Sequence, residues 1–201
     1  NIYCVNTDTT CSFPEGTALM DMLPSFDFER PYPILSAKVN NVSQGLKYRA
    51  FNSRKVEFLD YTTYAGRSVY CRSLCFLLCK AARDVFPESK IVLRRPISKG
   101  YFCAFEKGDG TDTVQEDVDR IVLRMKELVA ADLPFRRHEV RVEEAIELFH
   151  SLGYHDKVKL LQTSGDVYVN YYTLDDAADY YYDALLASTG YLKVWGLSIY
   201  K

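Results

Sequence analysis

Three cysteines lie four residues apart, at Cys71, Cys75 and Cys79. Side chains at this spacing share one face of a helix, so the three thiols could bind a soft metal ion. They also lie among leucines, and a free cysteine in apolar surroundings behaves as a small hydrophobic side chain. A disulfide between neighbours along one helix would be strained. We therefore expect reduced thiols, no metal site and a cytoplasmic protein.

No other segment contains a complete catalytic motif. A phosphate-binding loop needs glycines before a Lys-Ser or Lys-Thr pair, and residues 98–100 lack the preceding glycine. The three histidines, His138, His150 and His155, have neither a histidine four residues away nor a nearby cysteine. His138 lies in a basic run at residues 136–141, which could contact phosphate or RNA but is more typical of a solvent-exposed strand face.

A helix predicted over residues 67–86 is the element around which we expect the rest of the chain to pack. At about 100° per residue, one broad arc of this helix is apolar. The apolar arc comprises Cys71, Leu74, Cys75, Leu77, Leu78, Cys79, Ala82, Val85 and Phe86. The remaining arc is narrow and polar, yet it contains Phe76 between Arg72 and Lys80. An aromatic residue there predicts that this arc also faces a second layer of the domain or a cleft.

Length and composition indicate a globular protein. A chain of 201 residues, 48% of them hydrophobic, favours one small and one medium domain. The net charge of -2 argues against binding nucleic acid by bulk electrostatics, although local basic patches remain possible. No apolar run approaches the length of a membrane span, and no signal peptide is evident. Because the chain begins at Asn1, we expect a processed chain or a fragment.

The hydrophobic pattern predicts an α+β fold with antiparallel sheet. Residues 1–62 form a compact β-rich unit with one short helix, the outline of a β-grasp, although other small α+β folds also fit. Residues 63–201 alternate irregularly between strands and helices, without repeated βαβ units, and are expected to pack around the central helix. A periodic helix follows a capping box at Thr113 and Glu116, and a final strand is predicted over residues 191–200.

Taken in order, several segments resemble the N-terminal region of threonyl-tRNA synthetases, in which a TGS (β-grasp) domain precedes an editing domain. The resemblance runs through Pro14-Glu15-Gly16-Thr17, Phe86-Pro87, Ala131-Asp132-Leu133-Pro134, Lys157-Val158 and Ser188-Thr189-Gly190. It covers nearly the whole chain. It implies a TGS-like domain at residues 1–62 and an editing-like α+β domain at residues 63–201.

The resemblance also implies that the editing site is degenerate. In the synthetases a His-x-x-x-His on the central helix and a Cys-x-x-x-His near the end form this site. The four aligned positions here are Arg72, Phe76, Tyr181 and Leu185. Phenylalanine and leucine neither ligate a metal nor move a proton, so hydrolysis is not expected and no residue is assigned as catalytic. Two further family residues persist as Lys157 and Asp179, which makes these six positions the candidate lining of a ligand pocket.

This degenerate version looks like the N-terminal region of bacterial uridine kinase-like nucleoside kinases, in which a P-loop kinase domain follows. The implied role is an accessory module that binds a small polar ligand, nucleoside or nucleotide beside a C-terminal kinase domain in cis. ATP and magnesium would belong to that missing domain, and no cofactor or membrane is expected for these residues. One alternative is an RNA-binding or residual tRNA-editing hydrolase module related to threonyl-tRNA synthetase. The other is a structural scaffold whose cleft has filled with aromatic side chains.

Overall fold

The computed structural model describes residues 1–29, 31–97 and 100–200. Within them, twelve strands and five α-helices alternate along the chain. The strands are β1 (Ile2–Cys4), β2 (Thr9–Cys11), β3 (Thr17–Ala18), β4 (Ser36–Val39), β5 (Val42–Gln44), β6 (Arg49–Ala50), β7 (Arg54–Leu59), β8 (Lys90–Ile97), β9 (Gly100–Glu106), β10 (Arg136–Arg141), β11 (Tyr168–Leu174) and β12 (Ala177–Tyr180). The helices are α1 (Leu19–Met22), α2 (Tyr64–Val85), α3 (Gln115–Ala130), α4 (Val142–Ser151) and α5 (His155–Ser164). The mixed fold with largely antiparallel pairing is compatible with the predicted α+β class.

The first part of the chain builds a five-stranded sheet with the order β2-β1-β7-β4-β5. Strands β1 and β7 pair in parallel, and the other neighbours pair antiparallel. Helix α1 buries Leu19 and Met22 against this sheet, where they meet Val56 and Phe58 of β7 in one apolar cluster. The predicted domain boundary at residue 62 falls in the turn between β7 and α2. The division into two domains stays a prediction, because Ala187 packs into this first cluster from the far end of the chain.

The rest of the chain packs around α2. This helix contacts α3, β8 and β11, and its buried residues share one cluster with those of α3 and with the segment that follows β12. Strands β10, β11 and β12 form an antiparallel sheet, while β8 and β9 form a hairpin. A separate apolar cluster, with Phe149, Leu161 and Val169 at its centre, joins α4 and α5 to β11. Across the described ranges, no helix combines the length and the apolar character that crossing a bilayer requires.

Helix α2 is buried on both its apolar arc and part of its polar arc. Thr63 caps its N-terminus by accepting a hydrogen bond from the Gly66 amide at 3.0 Å. The supposedly polar arc contains some of its most deeply buried residues, because Ser73, Phe76 and Lys80 are all at most 4% exposed. Cys71, Cys75 and Cys79 are only partly buried. The prediction that the arc around Phe76 faces another layer is confirmed.

A network of charges explains how Lys80 is buried. Its ammonium lies 2.5 Å from Asp84 Oδ1 and 2.6 Å from Asp176 Oδ1. Burial alone would lower the pKa of Lys80, but the hydrogen bonds to Asp176 and Asp84 raise it above the ordinary value. Asp84 also accepts a hydrogen bond from Arg124 of α3. The network therefore ties the β11–β12 turn and α3 to the central helix.

Two local predictions are wrong. Helix α3 begins at Gln115, and the carboxylate that caps it belongs to Asp117, which accepts from the Val114 amide at 2.9 Å and pairs with Lys107. The predicted strand at residues 191–200 is absent from the described structure. Its backbone instead bonds to a side chain, since the Tyr70 hydroxyl donates to the Val194 carbonyl and accepts from the Val194 amide.

Candidate functional site

The four positions aligned with the editing residues lie together between α2 and the segment that follows β12. The Phe76 ring centroid lies 5.5 Å from that of Tyr181 and 5.9 Å from that of Phe135. Phe76 and Leu185 are each 1% exposed and belong to the same apolar cluster. Side chains of this size and burial leave no open cleft between them.

Arg72 lies at the edge of this packed cluster. Its guanidinium donates to the Ala184 carbonyl at 3.1 Å and lies 3.3 Å from the Asp183 carboxylate. At the next residue, the Ser73 hydroxyl donates to the Val69 carbonyl and accepts from the Leu186 amide at 2.9 Å. Helix α2 therefore holds residues 183–186 in place by polar contacts as well as by apolar packing.

Lys157 and Asp179 bind each other. The Lys157 ammonium donates to the Asp179 carboxylate and lies 4.5 Å from the centre of the Tyr154 ring. Asp179 also accepts from the Tyr180 amide at 2.6 Å. Arg83 of α2 donates to the Tyr154 hydroxyl, which joins this pair to the central helix. The two charges thus neutralise each other inside the fold.

The six candidate residues therefore form two adjoining groups, one packed and one ion-paired. Of the six, only Leu185 lines either of the two cavities described below. Within the described residues, no group of three or more His, Cys, Asp or Glu is placed to hold a metal ion. A ligand pocket made by all six residues stays a prediction.

Burial controls the ionisation of this region. Burial is the main cause that raises the pKa of Cys75 to about 12 and that of Cys79 to about 11. For Cys79 the charge of Asp179 acts in the same direction, whereas Arg83 and Lys157 act against it. Burial, followed by the charge of Asp179, raises the pKa of Tyr181 well above its ordinary range. Because a thiol reacts as its thiolate, these cysteines are poor nucleophiles at neutral pH.

Replacing Asp179 with asparagine is expected to lower the free energy of unfolding by about 1–2 kcal/mol, because Lys157 would be left without its counter-ion. The side chains are 22% and 15% exposed, so some water compensates and the loss stays below that of a fully buried pair. Urea unfolding of Asp179→Asn, Lys157→Met and the double variant measures the coupling. If the stability lost in the double variant equals the sum of the losses in the two single variants, the pairing of Lys157 with Asp179 is contradicted.

A groove that sequence reasoning missed lies where the two parts of the chain meet. One cavity of about 420 Å³ is lined by residues 44–48, 135–138 and 185–187, together with Tyr172. A second cavity of about 240 Å³ adjoins it and shares Gln44, Arg137 and Tyr172. We call these two cavities the junction groove. The one signal in the sequence was the basic run at residues 136–141, which forms β10.

No protein-family model matches the chain. The threonine-tRNA ligase of Desulforamulus reducens is 27% identical over 179 residues, which are 89% of this chain and 28% of the relative. That of Syntrophomonas wolfei is 27% identical over 182 residues, covering 90% and 28%. That of Syntrophotalea carbinolica is 28% identical over 187 residues, covering 92% and 29%.

The chain is similar to threonine-tRNA ligases. It spans between a quarter and a third of the length of these relatives. Their names support the resemblance to threonyl-tRNA synthetases and favour the tRNA-related alternative over the accessory module of a nucleoside kinase. A uridine kinase parent receives no support from them.

Proposed function

We propose that this chain is an RNA-binding module related to the N-terminal region of threonine-tRNA ligases, with an editing site that no longer hydrolyses its substrate. In this proposal residues 1–62 are the TGS-like domain and residues 63–201 the editing-like domain. The observation that carries it is the contact between Phe76 and Tyr181, with Leu185 in the same cluster, at positions where the resemblance places hydrolytic residues.

The chemistry of these positions supports the loss of hydrolysis. Activation of a water molecule needs a general base with a pKa near neutral or a metal ion. Phe76 and Leu185 offer neither, and the raised pKa values of Cys75, Cys79 and Tyr181 keep those groups protonated at neutral pH. The carboxylate of Asp179 is already bound to Lys157. Ester hydrolysis of aminoacyl-tRNA is therefore expected to be no faster than in buffer.

The charge distribution supports RNA as the partner. Although the net charge is -2, basic side chains concentrate at the junction groove, where Arg136 and Arg137 of β10 are exposed beside Lys47. Arg141 extends this basic surface to the end of β10 and lies 6.0 Å from the Tyr168 ring centre. Binding to phosphates by a local patch depends strongly on salt even where the net charge is low.

The decisive experiment combines deacylation and binding. The protein is incubated with threonine tRNA carrying threonine or serine, and ester loss is measured against buffer. Binding of the same tRNA is measured between 50 mM and 200 mM salt. We expect no acceleration of ester loss, together with binding that weakens as salt increases.

A charge-reversed pair of variants tests the position of the interface. Arg136→Glu is expected to weaken tRNA binding at least tenfold, because it places a negative charge against the phosphates. Lys126→Glu makes the same reversal of charge at an exposed residue of α3, outside the groove, and should alter binding less than twofold. Hydrolysis above the buffer rate would refute the loss of editing. Failure of the wild-type protein to bind any tRNA would refute the RNA-binding role.

A further inference from the structure

The junction groove has dimensions suited to a small ligand. It lies between the segment from β5 to β6 and the strands β10 and β11. Its two cavities, of about 420 Å³ and 240 Å³, meet at shared residues. Binding sites for small molecules commonly enclose about 300–1,000 Å³ and combine apolar walls with a few convergent polar groups. The groove is therefore large enough for a ligand with two chemically different ends.

The larger cavity forms a basic half. Lys47, Arg136, Arg137 and His138 line it, and no Asp or Glu does. Arg137 is already fixed, because its Nε donates to Asn170 at 2.9 Å and its Nη1 donates to Gln44 at 3.1 Å. Neither Lys47 nor Arg136 has a side-chain hydrogen bond or an ion pair with another part of the described chain. Two like charges that have no ion-pair partner favour an anion between them.

The ionisation of Lys47 reflects the excess of positive charge around it. Partial burial lowers the pKa of Lys47, and the positive charge of Arg136 lowers it further, with Asp132 acting in the opposite direction. A phosphate placed beside both side chains would remove this repulsion. It would also raise the pKa of Lys47 towards its ordinary value.

The smaller cavity forms an aromatic half. Tyr168 and Tyr182 line it and are 56% and 86% exposed. The Arg141 guanidinium lies over one face of the Tyr168 ring, so the opposite face of that ring and the ring of Tyr182 are the surfaces offered to a ligand. The amides of Gln44 and Asn170 lie in the same cavity and can bond to the edge of a flat polar ring. Exposed aromatic faces bind nucleobases by stacking, largely irrespective of base identity.

The acidic groups of the groove set the direction in which a ligand lies. Asp166 and Asp183 both line the aromatic half and would repel a phosphate there. Asp183 is partly neutralised by Arg72, at 3.3 Å. A phosphate is therefore favoured at the basic half and an uncharged ring at the aromatic half.

We propose that the junction groove binds one nucleotide, with its phosphate at Lys47 and Arg136 and its base stacked on Tyr168 or Tyr182. The nucleotide is either free or an unpaired nucleotide of an RNA strand. In the second case the inference deepens the RNA-binding function proposed above and rests on it. In the first case it stands without that function.

One of the four positions aligned with editing residues, Leu185, lies in the wall of this groove. Leu185 lines the basic half, and its neighbours Asp183 and Ala184 line the aromatic half. Arg72 binds both Asp183 and the Ala184 carbonyl. Arg72 is thus a positioning residue for the groove, and the packed cluster behind it keeps the wall rigid.

Calorimetric titration of the full chain tests the proposal. The probes are the four nucleoside 5′-monophosphates, the four nucleosides, inorganic phosphate and a single-stranded RNA of twelve nucleotides. We expect a monophosphate or the RNA to bind at least tenfold more tightly than the matching nucleoside or inorganic phosphate, because each of those fills only one half of the groove.

Two double variants separate the halves. Lys47→Ala with Arg136→Ala is expected to weaken binding at least tenfold and to abolish the preference for a monophosphate over its nucleoside. Tyr168→Ala with Tyr182→Ala is expected to weaken binding at least fivefold and to abolish the preference over inorganic phosphate. The matched controls, Lys126→Ala on α3 and Tyr64→Ala at the start of α2, should change affinity less than twofold.

Each outcome is informative. Monophosphate binding that both double variants weaken supports a site for free nucleotides, and RNA binding alone that both weaken supports a site for an RNA strand. Binding of inorganic phosphate as tight as that of every monophosphate would overturn the proposal in favour of a simple anion site. No binding by any probe would overturn it. If tRNA and RNA bind but both double variants bind them normally, the RNA-binding function stands and the nucleotide site fails.

Discussion

Replacing Phe76 with alanine is expected to lower the free energy of unfolding by about 3–5 kcal/mol, the usual loss when a fully buried phenylalanine is truncated. Phe76 is 1% exposed and contacts Phe135 and Tyr181 at centroid distances of 5.9 Å and 5.5 Å. Because α2, the start of β10 and the segment after β12 all meet there, no single neighbour can move to fill the cavity. Urea unfolding followed by circular dichroism measures the change.

Tyr64→Ala is the matched control for Phe76→Ala. Tyr64 is also an aromatic residue of α2 but is 81% exposed, so its removal should change stability by no more than about 0.5 kcal/mol. A loss below 1 kcal/mol for Phe76→Ala would contradict the close packing of Phe76 against Phe135 and Tyr181. Such a result would favour the prediction that Phe76 lines a ligand pocket.

The second large effect is a loss of stability at alkaline pH. Folding raises the pKa of Cys75 from 9.0 to about 12 and that of Cys79 from 9.0 to about 11, chiefly by burial. Below pH 9 both thiols are protonated in the folded and unfolded states, so their contribution to stability is fully present. Above pH 9 the unfolded chain releases these protons while the folded chain retains them, which favours unfolding. Each thiol then costs about 1.4 kcal/mol per pH unit until its folded pKa is reached.

Urea unfolding at pH 8, 9, 10 and 11 under reducing conditions tests this effect. Removing both thiols as Cys75→Ala with Cys79→Ala is expected to reduce the fall between pH 9 and 10, and each single variant should reduce it less. Part of the fall remains, because burial also raises the pKa of Cys71 and that of Cys103. Above pH 10 a residual fall remains, because the raised pKa of Tyr181 acts in the same direction. An equal slope in wild type and in the double variant would show that water reaches these thiols.

The packed cluster and the junction groove share one segment of chain. Residues 183–187 are held on one side by Arg72, Ser73 and the apolar cluster, and on the other side they line both cavities. The packing on the inner side of this segment therefore supports the wall that its outer side gives to the groove.

Much of the fold could be predicted because it depends on local patterns. The periodic stripes of α2 and α3 and the basic run of β10 are signals carried by neighbouring residues, and the corresponding elements are present. Phe76 within a polar arc correctly indicated a second layer over α2. The predicted final strand at residues 191–200 is absent from the described structure. The Tyr70 hydroxyl, 124 positions away, bonds instead to the amide and the carbonyl of Val194, which a strand would pair with a neighbouring strand.

The sequence by itself determined the chemical character of the candidate site: which side chains stand at the six positions and that Phe76 and Leu185 can neither ligate nor ionise. Only the tertiary structure decided what those residues do. It pairs Lys157 with Asp179 and packs Phe76 against Tyr181. It also places Lys47, Arg136 and Tyr182 in the lining of the junction groove. Residue types and short periods are local properties of a chain, whereas a pairing or a cavity depends on how distant segments pack, which no local pattern encodes.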